Sequence, residues 1–334
     1  MDNKKTIGSI VRCLLFIKFM SEKKLPSKMG VKVFAPASVA NVACGFDILG
    51  FALDGPGDEV IARFSDKKGV HISKITGGKL PLAAEKNTAG YAAIKFLEFI
   101  GEQDRGIELE IHKKMPFGSG LGSSAASAVG GVMAVNELLR RPLEKRALLQ
   151  FAVLGESIAS GAIHADNVAP SLLGGFTLVR DSCTLDVHRI HVPRGLYATV
   201  IYPKVEILTK EAREMLKTEV PLKTVTKQSA NLGAFIIGMF NSDFNLIRRS
   251  LNDLIIEPQR AGLIPHFYAA KEAAFNANVL GCSISGSGPS IFALSENSLI
   301  AEQAGEAFKK IFHDNKIPCD LFLSPINMEG CVVC

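Results

Sequence analysis

The apolar and polar positions of this chain follow two periods in turn. Residues 106–112 (Gly-Ile-Glu-Leu-Glu-Ile-His) alternate apolar and polar positions, which predicts a half-buried strand. Segments 31–36, 60–64, 71–75, 174–179 and 196–202 read as further strands, with turns at Asp66-Lys67-Lys68-Gly69 and at Gly77-Gly78. Helical spacing appears over 87–100, where Ala92, Ala93, Phe96, Leu97 and Ile100 share a face and Asn87 or Thr88 supplies the cap. A second helix is predicted over 125–139 with Ser123 or Ser124 as its cap, and a third from Pro142 to Ile158. From about Asp181 the texture changes to strands mixed with amphipathic helices at 229–240, 244–251, 269–276 and 299–312, ending in a strand at about 319–324. The pattern predicts an α+β protein of two domains, 29–182 and 183–334, after an extension of 28 residues.

Several stretches obey neither period. In Pro116-Phe117-Gly118-Ser119-Gly120-Leu121-Gly122-Ser123-Ser124-Ala125-Ala126-Ser127, glycines fall on alternate positions between a strand and a helix start. Glycine lets a backbone turn with positive φ and approach a ligand closely, and a helix N-terminus offers unpaired N–H groups and a positive dipole end. The unit therefore reads as a phosphate cradle, with a serine hydroxyl in reach of a phosphate-bound Mg²⁺. It is no P-loop, because no Gly-Lys-Ser/Thr follows, and its spacing is not the dinucleotide fingerprint. A plain glycine turn that packs a helix on a sheet would explain one Gly-x-Gly but not the whole block.

Residues 36–47, small and polar and ending in Gly45-Phe46-Asp47, read as a loop crossing a site. Glu156, on an otherwise apolar stretch, either reaches solvent or pairs with a cation, for which Mg²⁺ suits a carboxylate opposite a phosphate loop. His164, Asp166 and Asn167 cluster between a helix and a glycine-led strand. No second His or Cys stands at a zinc spacing, and no nucleophile elbow accompanies them. A second Gly/Ser loop spans 281–289.

Composition narrows the classes. The 334 residues are 47% hydrophobic and 21% charged, an ordinary globular balance. A net charge of +5 is scattered among acids, there is no Trp and there are 4 Tyr, so neither a basic surface nor a stacking platform for nucleic acid is present. The 7 cysteines are odd in number, which points to reduced thiols and the cytoplasm, and Cys331-Val332-Val333-Cys334 reads as a frayed, reduced tail. Residues 7–20 are apolar, but Arg12 and Lys18 interrupt them and no cleavage site follows, so no membrane association is expected.

Taken in order, the blocks at 36–47, 116–127 and 281–289 resemble those of the GHMP kinases, and the resemblance runs from about Val31 to Ser324. Ser38-Val39-Ala40-Asn41, His164-Ala165-Asp166-Asn167, Thr209-Lys210-Glu211-Ala212-Arg213 and Glu257-Pro258-Gln259-Arg260 are similar to the branch of that family acting on L-homoserine. The resemblance implies an N-terminal ATP-loop domain, a C-terminal ferredoxin-like α/β sandwich, and a cleft between them. There the γ-phosphoryl group of ATP would pass to the side-chain hydroxyl of L-homoserine, on the way to threonine. It implies that residues 116–126 hold phosphates, that Asn87 meets the base, and that Ser124 and Glu156 hold Mg²⁺. Asn41, Asp47, Asp166 and Asn167 would line the amino and hydroxyl end of the substrate. Arg213 and Arg260 would clamp its carboxylate, with His164, Thr209 and Gly288 close by. Either Asp166 acts as a base or an aligned hydroxyl attacks directly. A mevalonate-, shikimate- or sugar-type kinase, or a non-catalytic metabolite sensor, would share the fold. The oligomeric state is open, with a homodimer among those expected.

Overall fold

The structure is a computed structural model and describes residues 30–334 except Ala162 and Leu208; the side chains of Ser160, Thr209 and Lys210 are also outside the description. The expectation for the first 28 residues, and the assignment of Thr209 to the substrate, lie outside the described residues.

The first half contains β1 (Val31–Val42), β2 (Gly45–Phe64), β3 (Val70–Thr76), α1 (Thr88–Ile100), β4 (Ile107–His112), α2 (Ser123–Leu138), α3 (Leu149–Ser160), α4 (Val168–Leu173), β5 (Phe176–Asp181) and β6 (Asp186–Ile190). The second contains β7 (Tyr197–Pro203), α5 (Thr209–Glu214), α6 (Leu222–Asn241), α7 (Phe244–Ser250), α8 (Glu257–Arg260), α9 (Phe267–Asn276), β8 (Gly281–Ile284), β9 (Ile291–Ser295), α10 (Ser298–Asp314), β10 (Cys319–Pro325) and β11 (Val332–Val333). One sheet runs β11-β1-β2-β4-β3, with β5 also on β2 and β6 on β5; the other is antiparallel in the order β10-β7-β9-β8.

Besides β1, the long β2 serves two further neighbours. Its first part pairs with β5 (Leu49↔Leu178 to Phe51↔Phe176) and its last part with β4 (Glu59↔His112 to Phe64↔Ile107). The block at 36–47, expected as a loop, is strand as far as Val42 and then turns tightly at Ala43-Cys44 into β2. Its small residues allow this: Ala35, Ala37, Ser38, Val39 and Ala40 are all wholly buried, so both strand faces are covered. Strand β6 lies beyond the expected division at 182/183, yet its partner is β5 of the first sheet. The tail expected to fray is also ordered: β11 pairs with β1 (Val33↔Val333, Phe34↔Val332) and Cys331 is buried beside it.

Helix α2 lies at the centre of the first half and is buried almost all round, as its run of Ala, Gly and Val allows. The two halves share a core. Phe51 of β2 stacks on Phe176 of β5 at 4.7 Å and meets Phe292 of β9 edge-on at 5.9 Å, while Phe235 of α6 tilts against Phe176. All four rings are wholly buried. Each such ring contributes about 1.5–3 kcal/mol by burial and roughly 0.5–1.5 kcal/mol more through aromatic pairing. Alternation in β9 then builds a second core, since Phe292 and Leu294 face the shared one while Ile291 and Ala293 join Phe267, Phe308 and Phe312 under α9 and α10.

Candidate active site

The glycine block connects β4 to α2. Gly118, Gly120 and Gly122 have φ of 61°, 76° and 66°, so left-handed residues alternate with others and form the kind of anion-binding nest that turns N–H groups to one side. The cap expectation is corrected here. Helix α2 already includes Ser123 and Ser124, its N-cap is Gly122, and no side chain caps it. A Cβ on Gly122 would lie 2.3 Å from Ser38 Oγ and 2.8 Å from Asn167 Oδ1, so any other residue would strain a left-handed backbone and displace that hydrogen-bonded pair. Both serines are thereby released from capping. Ser124 Oγ donates to Glu156 Oε1 at 2.9 Å. Ser123 Oγ is buried and has no hydrogen-bond partner among the described residues. Leu121, Ala125 and Ala126 are wholly buried and can offer a ligand only backbone groups. Phe117 remains partly exposed, its ring packed against Gly78.

The third block holds the crown of this loop. Ser285 Oγ donates to the Gly120 carbonyl at 2.6 Å and the Ser290 N–H to the Ser119 carbonyl at 3.2 Å. A Cβ on Gly120 would lie 2.4 Å from the Ser285 carbonyl. The first block joins through Ser38 N–H to the Leu121 carbonyl at 3.1 Å and Gly286 N–H to the Ala40 carbonyl at 3.0 Å. The three blocks, far apart in the chain, meet as one surface.

Asn41 and Asp47 flank the hairpin turn with φ of 58° and 56°. Asn41 Oδ1 accepts the Asp47 N–H at 2.8 Å, and Asn41 Nδ2 donates to the Gly286 carbonyl at 2.9 Å. Arg213 of α5 reaches across and forks onto Asp47, Nη2 to Oδ1 at 2.9 Å and Nη1 to Oδ2 at 3.2 Å. Arg260, 3% exposed, donates through Nε to the Ala212 carbonyl at 2.8 Å and through Nη1 to the Gly286 carbonyl at 3.3 Å. Both guanidiniums lie over the Phe46 ring, at 5.6 and 5.2 Å. Phe46 thus has a positioning duty that its place in the first block did not disclose.

His164 Nδ1 lies 3.9 Å from Asp47 Oδ1, its Nε2 is buried with no partner among the described residues, and burial holds its pKa below the ordinary histidine range. Asp166 is buried, and burial, helped by the Asp47 charge, pushes its carboxyl up to about 7. Asn167 Oδ1 accepts from Ser38 Oγ at 2.9 Å. Glu156 is likewise pushed up to about 7, first by burial, with the Asp166 charge adding and Ser124 and Lys113 opposing. Gly288 (φ 84°) sits against Ile264 and Ile207 at the edge of the third block. Asn87 stands apart as the N-cap of α1, accepting from Ala89 and Gly90 N–H and donating to the Pro81 carbonyl.

Two groups at the site lay outside the sequence expectations. Asp58 and Lys113 form an ion pair that is 0% and 1% exposed at the side chain, directly under the glycine loop. Their signal was phase. Position 113 continues the inward series Ile107, Leu109, Ile111, and position 58 precedes the inward pair Val60 and Ala62, so each charge falls where the strand buries its side chains. Burial pulls the Lys113 pKa down and Asp58 opposes that.

Ser124 and Glu156 supply the hard oxygen donors that a Mg²⁺ ion takes alongside phosphate oxygens. Among the described residues, no group of three or more His, Cys, Asp or Glu side chains converges as a metal site, and no helix is long and apolar enough to cross a membrane. Six cysteines in the described region are free.

Comparison with known proteins gives the family. The profile of the GHMP kinases N terminal domain matches residues 87–175 and that of the GHMP kinases C terminal matches residues 234–314. A homoserine kinase of Chlorobium phaeovibrioides is 49% identical over 90% of this chain and 98% of its own length, and one of Chlorobium phaeobacteroides is 46% identical over 91% and 99%. The crystal structure of homoserine kinase from Cytophaga hutchinsonii is 52% identical in sequence, superposes with a TM-score of 0.90, and covers 93% of this chain and 99% of its own. The chain belongs to the homoserine kinases, within the GHMP kinase family.

Proposed function

We propose that the cleft transfers the γ-phosphoryl group of ATP to the side-chain hydroxyl of L-homoserine, giving O-phospho-L-homoserine in threonine biosynthesis. The observation that carries the substrate assignment is the Asp47–Arg213 fork, set between buried Arg260 and buried Asp166. A pre-formed acid–guanidinium pair is matched by a zwitterion. An ammonium takes Asp47 while a carboxylate takes Arg213 and Arg260, and no charge is left without a partner. The exchange is favourable. A partly exposed ion pair is worth about 0–1 kcal/mol, whereas each hydrogen bond to a charged group gives about 1.5–3 kcal/mol. A hydroxy acid without an ammonium would take the arginines and strand Asp47.

Phosphoryl transfer asks the protein for positioning and charge neutralisation. The N–H groups of residues 118–124 and the positive end of α2 hold the phosphate oxygens, and Ser123 Oγ, buried and unpartnered, donates to one of them. Ser124 and Glu156 would hold Mg²⁺, which would supply positive charge to offset that of the phosphates. Asn87, with one Nδ2 hydrogen beyond its bond to Pro81, is left able to donate to the nucleotide base. Asp166, with its affinity for a proton raised, accepts the hydroxyl proton, and Asn167, tethered to Ser38, orients that hydroxyl. His164 and Gly288 complete the wall beside Asp47. Every residue assigned here comes from one chain, so a homodimer would carry two separate sites. The free cysteines and the soluble small-molecule chemistry fit the cytoplasm.

The test is ATP consumption by the purified protein with L-homoserine, against mevalonate, galactose, shikimate and L-serine. Turnover with homoserine alone is expected. Turnover with mevalonate or galactose instead would remove the amino-acid pocket, and nucleotide binding without any turnover would make the protein a sensor.

A further inference from the structure

The ion pair beneath the glycine loop is joined to both ends of that loop. Asp58 Oδ1 accepts the N–H groups of Lys114 at 2.9 Å and Met115 at 3.3 Å, where the chain leaves β4. Its other oxygen takes the Lys113 ammonium. That ammonium also donates to the Ser123 carbonyl at 2.7 Å and to Ser127 Oγ at 2.8 Å, in the first turns of α2. Three donors meet three acceptors, which is the full capacity of a protonated lysine. The loop is therefore an arch with one foot on Asp58 and the other on Lys113, the two feet being tied to each other, while Ser285 and Ser290 hold its crown from the second half.

We infer that Lys113 and Asp58 are positioning residues for ATP, fixing the distance between the end of β4 and the start of α2 so that the loop is ready for phosphate before nucleotide arrives. The inference rests on reading the loop as the phosphate cradle. Neither side chain faces the ligand space, since both are covered by the arch they hold. A buried pair adds little net stability over an apolar pair of the same shape, so packing alone gives no reason to place two charges at inward strand positions. What the pair supplies is directional: five hydrogen bonds, counting the pair itself, that converge on the loop ends. The Lys113 charge also acts on Glu156 and favours its ionised form, so the foot of the arch and the metal-side carboxylate belong to one electrostatic unit.

The variant to make is Lys113→Met with Asp58→Asn, which removes both charges together and leaves no uncompensated ion in the core. Asn keeps an acceptor for the Lys114 and Met115 N–H groups, while the α2 foot is released. A fluorescent ATP analogue titrated without any acceptor substrate should bind at least about tenfold more weakly, the loss expected when a charge-assisted contact no longer orients a site. The KM for homoserine should stay within about twofold, because the Asp47 side of the cleft is untouched. Nucleotide affinity within about twofold of wild type in the folded double variant would overturn the inference and leave the pair a structural feature. A second measurement needs no variant: in nucleotide-free wild type, the Lys114 and Met115 amides should exchange slowly with deuterium, and exchange at the rate of an open loop would overturn it equally. Wild-type turnover with homoserine tests the substrate reading separately, so failure of one is distinguishable from failure of the other.

Discussion

The phosphate side and the amino-acid side of the cleft are built on different principles. On the phosphate side nearly every contact is short, buried and internal: Gly120 and Gly122 hemmed in where a side chain would lie, a crown held by the third block, and feet held by a buried ion pair. On the amino-acid side, the Asp47–Arg213 fork is 30% and 43% exposed, and both partners hold each other in place of a ligand. The first is a rigid mould for a group common to all ATP reactions. The second is a pair of charges already matched, and in the proposed reaction it is there that the substrate would be selected. A mould gains by excluding alternatives in advance, whereas an exchangeable pair gains by making the wrong ligand leave a charge behind.

The comparison can be broken at several points. The largest effect is expected from Asp166→Asn, which should lower kcat by about 10²–10⁴-fold if the carboxylate takes the hydroxyl proton. In the wild type, kcat/KM should rise with pH as Asp166 ionises near 7 and level off above, because a raised carboxyl is protonated and inactive below its pKa. The part of the acid limb due to Asp166 should be lost in the variant, leaving that of Glu156, which also ionises near 7, and a wild-type profile flat from pH 6 to 8 would favour direct attack by the aligned hydroxyl. Next is Gly122→Ala, where a Cβ would press on Ser38 and Asn167 from a left-handed residue. Strain and overpacking of roughly 3–4 kcal/mol should lower kcat/KM for ATP about 100- to 1,000-fold, and near-normal ATP kinetics would show that the mould is softer than drawn.

Arg213→Met sharpens the other side. It should raise the homoserine KM about 10- to 100-fold with the ATP KM within about twofold, and a matched rise in both would deny that the two sides are separable. Phe46→Leu is the mildest change: losing the ring under both guanidiniums should raise the homoserine KM by about two- to fivefold, measured under the same conditions.

Much of this was legible in the chain because the informative residues cannot serve another purpose. Alternating glycines between a strand and a helix of small residues marked the loop, and the strand read over 106–112 begins one residue before β4. Capping was misread because Ser before a helix usually caps it, whereas here left-handed Gly122 is the cap and the helix already includes both serines, with Ser38 and Asn167 filling the space where a side chain at 122 would lie. Such contacts are long-range and leave no local mark. The same holds for the turn of 36–47, whose small residues fit a loop until burial on both faces is known. Asp58 and Lys113 were within reach, since their phase along the strand was visible; a charged residue on the inward phase reads as noise until its partner is seen. The Asp47–Arg213 fork joins residues far apart in the chain and could be drawn only from a resemblance.

The return of β11 to β1 has a consequence for the order in which the molecule is made. Strand β1 carries Ser38 and Asn41, yet the neighbour on its outer edge, Val332–Val333, is the last strand of the described chain to leave the ribosome. Throughout synthesis that edge offers unpaired N–H and C=O groups to any passing strand, a hazard for a nascent protein. The Val33–Phe34 edge of β1 is thus covered only once β11 has been made, and until then any strand that pairs there competes with β11 for the same backbone groups.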